Sequence, residues 1–297
     1  MSKKPVCAVL GASGFLGSGA LPELREAFTV VGTSMRPRGE AFRAVDLRER
    51  DALARFLDEV QPDVVIALAA YREPDFCEDH PEETRRLNTR PVVALTELLP
   101  ATTPLLFVST DYVFDGKAPP YRPDAPRHPL SEYGKSKAEA EDALRGRDRS
   151  IVLRVPLLMG WTESFDQSGF FSQLIADLRA TEPRPLDDVL KRYPVWTRDV
   201  GIAMRHLLTG GHAGTFHFST TRPLTRYRAA LEMAELIGWP TTHLTPSATV
   251  IPRRATRPDD AHLDMTDWLA RGFPPPTDFR EVAHRFLLHF GVLPTSA

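Results

Sequence analysis

The feature that most constrains this chain is a rhythm in its first 155 residues. Short, apolar, β-branched runs alternate there with longer runs of helical periodicity. Strands are predicted over residues 6–10, 29–33, 43–45, 64–68, 105–109 and 151–154, and helices over 15–27, 51–60, 81–99 and 131–144. Several of the strands are apolar throughout, as strands covered by helices on both faces must be. Strands alternating with helices in this way build βαβ units around a parallel sheet, so the expected fold class is α/β, a doubly wound parallel (Rossmann) sheet.

After Arg154 the rhythm breaks. Residues 155–196 are rich in Pro, Gly and aromatics around one predicted helix, 170–179. A helix over 198–208 and a strand over 215–219 read as a return to the sheet, followed by helices over 225–237 and 278–290. The expected organisation is a dinucleotide-binding domain from residues 1–155 and 186–219, with a smaller discontinuous substrate lobe from 156–185 and 220–297. Five prolines between Asp115 and Leu130 mark a long, stiff loop suited to covering a ligand.

The first strand runs into Gly11-Ala-Ser13-Gly14-Phe15-Leu16-Gly17 and then into a helix. Gly11 would permit the tight turn, Gly14 the approach of backbone N–H groups to a pyrophosphate, and Gly17 close packing of helix on strand. The helix N-terminus favours the anion. Ser13, Phe15 and Leu16 complete this set of cofactor-facing candidates.

The second strand ends at Gly32-Thr-Ser-Met-Arg36-Pro-Arg38, with no acid before Glu40. An acid at that point would accept from a ribose 2′-hydroxyl, whereas an arginine clamps a 2′-phosphate. NADP(H) is therefore expected over NAD(H), with Arg36 as the phosphate contact and NAD(H) as the second candidate. Asp46 and Leu47, after the third strand, are candidates to bracket the adenine.

Tyr133 and Lys137 stand four apart where a helix should begin, which puts both on one face. A tyrosine ordinarily titrates near pH 10, and a neighbouring ammonium is expected to lower it and make it a usable proton donor. Thr110 closes the fifth strand, at the carboxyl edge where open α/β sheets bind ligands. Its hydroxyl could orient a substrate carbonyl while Tyr133 moves a proton.

Glycine turn, Thr110, Tyr133 and Lys137, in that order, resemble the extended short-chain dehydrogenase/reductases. Ser109-Thr-Asp-Tyr-Val-Phe-Asp-Gly116, Pro120-Tyr121 and Tyr133-Gly-Lys-Ser-Lys137 resemble the dTDP-4-dehydrorhamnose reductase group in particular. Ala69-Ala70-Tyr71, Asn88, Arg257-Pro258 and Leu263-Asp264 are similar to that group too. The resemblance implies an NADPH-dependent reductase of a nucleotide-linked 4-keto-6-deoxy sugar. It further implies that Ala69, Ala70, Tyr71 and Asn88 serve the cofactor, and that Asp111, Tyr112, Leu157 and Arg257 line the sugar side. Leu157 falls where rhamnose-forming members carry an aromatic, and Asp260 where asparagine is usual.

Other stretches, Val30-Val-Gly-Thr33 with Arg36, Arg192-Tyr-Pro194, Gly214-Thr-Phe-His217 and Arg257-Pro-Asp-Asp-Ala261, resemble the regulatory β subunits of methionine adenosyltransferase. That likeness implies the alternative: a cofactor-binding regulatory subunit with little or no turnover. The partners expected are thus a nucleotide sugar together with either a second copy or an enzyme.

Composition removes other classes. The net charge is −2, so no basic field exists to hold nucleic acid. The basic residues are 31 Arg against 6 Lys, an imbalance ascribed to codon usage. Two cysteines make neither a disulfide framework nor a metal motif, and suit a reducing cytoplasm. No apolar run is long enough to span a membrane. No HExxH, GxSxG or P-loop motif is found, so no metal site is expected. Phe170-Phe171 and the pair Phe216/Phe218 are read as core.

Overall fold

The computed structural model describes residues 3–36, 42–250 and 252–293. Arg38 and Glu40, which entered the reading of the second strand's end, lie outside the described residues.

The first half follows the predicted rhythm: β1 (Val6–Leu10), α1 (Phe15–Ala27), β2 (Thr29–Ser34), β3 (Phe42–Ala44), α2 (Arg50–Val60) and β4 (Val64–Ala67). Then come α3 (Pro74–Asp79), α4 (Pro81–Asn88), α5 (Arg90–Leu98), β5 (Leu105–Thr110), α6 (Glu132–Ala143) and β6 (Ser150–Val155). The one helix expected over 81–99 is two. Pro91 has no N–H to donate and its ring crowds the preceding turn, so α4 stops at Asn88 and α5 restarts with Pro91 in its first turn. Helix α3 was not anticipated, because its Arg-Glu-Pro-Asp start reads as a loop.

The second half supplies β7 (Leu158–Met159), α7 (Phe170–Leu178), β8 (Arg184–Asp187), β9 (Val195–Trp196), α8 (Thr197–Thr209) and β10 (Gly214–His217). It closes with α9 (Arg226–Ile237), β11 (Leu244–Ser247), α10 (Thr266–Ala270) and α11 (Phe279–His289).

Seven strands form one parallel sheet in the order β10-β6-β5-β4-β1-β2-β3. β4, β5 and β6 are buried along their whole length, which is why they read as unbroken apolar runs. One apolar layer, with Leu24, Val200 and Met204, packs α1 and α8 on one face of the sheet. A second, with Leu53, Leu57 and Leu95, packs α2 and α5 on the other. The order reverses between β1 and β4, so their carboxyl ends open a crevice at a topological switch point.

A separate apolar cluster, including Phe171, Ile175, Met233 and Phe286, joins α7, α9 and α11. Two details depart from the expected division. β8 pairs in parallel with β11, so a boundary at residue 186 falls inside a strand. Met265, Trp268 and Phe273, expected in the smaller lobe, instead pack into the core on the α1/α8 face of the sheet.

The proline-rich loop does not cover the crevice. Tyr121 stacks on Phe114 at 4.2 Å and its hydroxyl donates to Asp115 at 2.6 Å, while Tyr121 also bridges to Leu263. The loop is tied to the segment around Leu263 and to Arg154, which donates to the Pro123 carbonyl at 3.0 Å, and none of its residues lines the crevice.

Candidate functional site

The crevice is a continuous cleft of about 1100 Å³ running from the glycine turn past the carboxyl ends of β4, β5 and β6 to the α7–α9 lobe. Its inner end is built from backbone. Gly11 has φ +80°, and a Cβ there would lie 2.7 Å from the Ala69 backbone. A Cβ on Gly17 would sit 2.1 Å from the Ala12 carbonyl oxygen. Only glycine lets the turn press against β4's end and α1 against β1. Gly14 is the N-cap of α1 and has no side chain to occupy the first-turn N–H groups, so they face the cleft. Such a 13-residue helix favours an anion at this end. Gly11, Ser13, Gly14, Phe15, Leu16, Gly17, Leu47, Ala69 and Ala70 all line this part, as does Met35.

Four of the expected cofactor contacts do not line the cleft. Asp46 is turned onto Arg48, accepting from its Nε and Nη2 at 2.9 and 2.7 Å, and the guanidinium holds that carboxyl below its usual range. Tyr71 donates its hydroxyl to Glu83 at 2.7 Å. Asn88, fully buried, accepts from the Tyr71 N–H at 2.8 Å and donates to the Tyr71 carbonyl and to Ser136. It fixes the turn after β4 against α6 and so positions Ala69 and Ala70. Arg36 is exposed, one residue beyond Met35, with no ion-pair partner among the described residues.

The middle of the cleft holds Thr110, Tyr133 and Lys137 together. Thr110 ends β5 and caps a single 3₁₀ turn, Asp111–Val113, accepting from the Tyr112 N–H at 3.2 Å. Ser131 caps α6 by accepting from the Gly134 N–H. Gly134 is a residue that sequence reasoning missed. A Cβ on it would stand 2.3 Å from the Tyr112 carbonyl oxygen, so glycine is what lets α6 close on the 3₁₀ turn. That contact brings Tyr133 beside Tyr112, ring centroids 5.7 Å apart and edge-on.

The electrostatics differ from expectation. Burial pushes the Tyr133 phenol above its ordinary range, with Thr110 alone among its largest influences pulling it down. Lys137 is buried with its ammonium 4.0 Å over the Phe107 ring, and burial lowers it to about 7. The expected lowering of Tyr133 by a fixed cation is thus not what the protein alone provides: desolvation of both groups outweighs it. Asp111 is likewise raised to about 6 by burial, against the opposing charge of Arg192.

The outer end is built from side chains, mostly arginines. Arg184, Arg192, Arg226, Arg253 and Arg257 line it, while Arg72 also lines the cleft but lies over the Phe15 ring, 5.1 Å from its centre. Arg184 and Arg226 share the fully buried Asp177 at 3.0 and 2.7 Å. Arg257 makes a two-pronged pair with Asp75 of α3, at 3.2 and 3.1 Å, tying the C-terminal segment across the cleft. Asp111, Tyr112, Leu157 and Arg257 all line the cleft, as expected. Phe170, expected in the core, lines it too, whereas Phe171 and Phe218 are buried. The surplus of 31 Arg over 6 Lys is the sequence signal that corresponds to this end, and codon usage is not its sole meaning.

Residues 7–291 match the family described as RmlD substrate binding domain. The chain belongs to that family. Among curated relatives it is 31% identical over 280 residues to methionine adenosyltransferase 2 subunit beta of Bos taurus, spanning 92% of this chain and 84% of the other. It is 32% identical over 269 residues to a Haloferax volcanii protein described as "Probable low-salt glycan biosynthesis reductase", spanning 87% and 89%. A crystal structure of dTDP-4-dehydrorhamnose reductase from Bacillus anthracis in complex with NADP superposes with TM-score 0.85 at 21% identity, over 96% of this chain and 99% of that one. That superposition and the parallel sheet order bear out the α/β doubly wound fold. Among the described residues there is no metal-binding cluster, and no helix long and apolar enough to cross a membrane.

Proposed function

We propose that this RmlD-family chain is an NADPH-dependent reductase acting on a nucleotide-linked 4-keto-6-deoxy sugar. One observation carries the reading. A backbone-built anion cradle, a Thr110–Tyr133–Lys137 group and an arginine-lined end lie in that order along one cleft.

The glycine cradle fits a dinucleotide's pyrophosphate, and Thr33, Ser34 and Met35 line the end of β2 without a carboxylate among the described residues. That suits NADP(H), with NAD(H) the second candidate; Arg36, beside Met35, would meet the 2′-phosphate. The bound nicotinamide supplies hydride. Thr110 orients the carbonyl to be reduced, Tyr133 gives its phenolic proton to the forming alkoxide, and Lys137 holds the ribose and offsets the charge left on Tyr133. Asp111, Tyr112, Leu157 and Arg257 face the sugar, and the outer arginines face the diphosphate.

The α7–α9–α11 cluster, with β8 and β11, is the substrate lobe, and the sheet with α10 is the cofactor domain. Both free cysteines, Cys7 and Cys77, are buried, which suits a reducing cytoplasm. A second reading is a cofactor-binding regulatory subunit that docks on a partner enzyme, favoured by likeness to the methionine adenosyltransferase subunit along nearly the whole chain.

The test is NADPH oxidation over a panel of nucleotide 4-keto sugars, with molecular mass measured on the same sample. Turnover on any of them supports the reductase. Leu157→Trp should improve dTDP-4-dehydrorhamnose by about 1–2 kcal/mol, the apolar area an indole adds. Tight NADPH binding without turnover in either protein would favour the regulatory reading.

A further inference from the structure

Beneath the Thr110–Tyr133–Lys137 group lies a charged cluster that the proposed chemistry does not use. Glu141 follows Lys137 by one turn of α6, on the same face, and both are almost fully buried, 5% and 3% exposed. Glu141 Oε1 accepts from Ser109 Oγ at 2.5 Å and from Arg154 Nε at 2.9 Å. Its Oε2 accepts from Arg154 Nη2 at 2.7 Å and from Arg127 Nη1 at 2.9 Å. Four donors thus fix the carboxylate in a single orientation. Ser109 is the neighbour of Thr110 on β5, and Arg127 also donates to the Ala138 carbonyl at 2.8 Å, one residue past Lys137.

We propose that Glu141 is a positioning residue, clamped by Ser109, Arg154 and Arg127 so that its carboxylate holds the buried Lys137 side chain as an ammonium against the Phe107 face.

The charge count supports this. Lys137 has no ion-pair partner among the described residues. The other titratable groups near this stretch of α6 are Tyr133, on which Asp111, Tyr112 and Cys77 act, and Glu132 and Glu139, which pair with Arg85 of α4. Behind Glu141 stand Arg154 on β6, His217 on β10, and Arg127 with Asp142. Asp142 takes the other side of Arg127 at 2.5 Å. Of all these, Glu141 is the one whose charge opposes the burial of Lys137. Without it, two arginines would face the lysine across a dry interior, where charges are felt strongly. His217 relieves none of that: buried against Arg154, it is held neutral, its pKa lowered to about 3.

This inference rests on the reductase reading only for its use, not for its test. The chain has six lysines and Lys137 is the buried one, the other five being exposed. With ¹³C-lysine labelling its Cε signal, assigned by loss in Lys137→Met, reports its titration directly. The wild-type midpoint should be about 7. Glu141→Gln should lower it by at least one pH unit, and Glu141→Asp should restore part of the shift. The downward shift in Glu141→Gln is one that damage to the fold would not produce, since water reaching the lysine would raise its midpoint. Should Glu141→Gln not fold, Arg127→Gln carries the test, and should move the midpoint upward with thermal unfolding and near-UV circular dichroism unchanged. Where turnover is found, the alkaline limb of kcat/KM should move with the midpoint. An unmoved midpoint in Glu141→Gln, or a downward move in Arg127→Gln, overturns the role of Glu141 even in an active reductase. Absence of turnover on every sugar would overturn the reductase reading and leave the titration result standing.

Discussion

The two ends of the cleft are made of different material. At the inner end, glycines and first-turn N–H groups do the work, and the spacing is enforced by contacts that a single Cβ would break, as at Gly11 and Gly17. At the outer end, long side chains from separate segments converge, some oriented by an acid, as Arg184 and Arg226 are by Asp177, and others by backbone carbonyls, as Arg192 is by Lys191 and Pro258. Backbone sites tolerate change poorly but recognise little more than shape and charge. Side-chain sites can be rewritten one arginine at a time. A chain of this kind can therefore change its outer end by single side chains while its inner end stays fixed by backbone contacts.

The largest effect that could break this contrast is at Asp177. Asp177→Ala leaves two guanidiniums without their shared carboxylate, and losing one partner of a buried pair costs about 3–5 kcal/mol. Arg184 is half exposed, so the low end of that range is expected. Thermal unfolding should show a large loss, while the NADPH dissociation constant, measured below the transition, stays close to wild type. Equal damage to cofactor binding would mean the two ends are not independent.

A smaller effect sharpens the comparison at its centre. Lys137 titrates at about 7 when folded, against 10.5 ordinarily. Between those values the unfolded chain holds a proton that the folded chain does not, so this residue's contribution to stability rises with pH across that window. Below pH 7 the full cost of burying the ammonium is present. Lys137→Met should therefore raise stability by a few kcal/mol near pH 6, and the gain should fade as pH approaches 10.5. A gain independent of pH would mean that packing, not charge, separates the variants.

The smallest effect concerns the rim of the inner end. Arg36→Ala should weaken NADPH by about tenfold, the worth of a charge-assisted contact, and leave NADH unchanged in calorimetry. Equal loss for both would remove Arg36 from the 2′-phosphate.

The same contrast decides how much could be read from the sequence. The sheet, the glycine turn and the Tyr133–Lys137 pair were legible because each is local: a strand run, a turn or one helical face. Asp46 and Tyr71 fall beside the right strands, but the side chains are drawn off by Arg48 and Glu83, which no spacing rule foresees. Asn88 serves the site at one remove, through the backbone of Tyr71. Gly134 needed knowledge of where the Tyr112 carbonyl lies. Of the outer arginines only Arg257 was legible, through a family likeness, because Arg184, Arg226 and Arg253 meet only through the packing of α7, α9 and α11 and the segment that follows β11. The short paired strands that place them, β8 and β11, are four residues each and include prolines.

In the proposed reaction Tyr133 transfers a proton within a cofactor site that does not depend on its hydroxyl. Tyr133→Phe keeps the ring that packs edge-on against Tyr112 and removes one oxygen. The direct measurement is single-turnover NADPH oxidation alongside NADPH affinity by calorimetry, on wild type and Tyr133→Phe, with the sugar that wild type reduces best. The account predicts an unchanged dissociation constant and a rate lower by about 100-fold or more. A variant that reduces the sugar at the wild-type rate would contradict it.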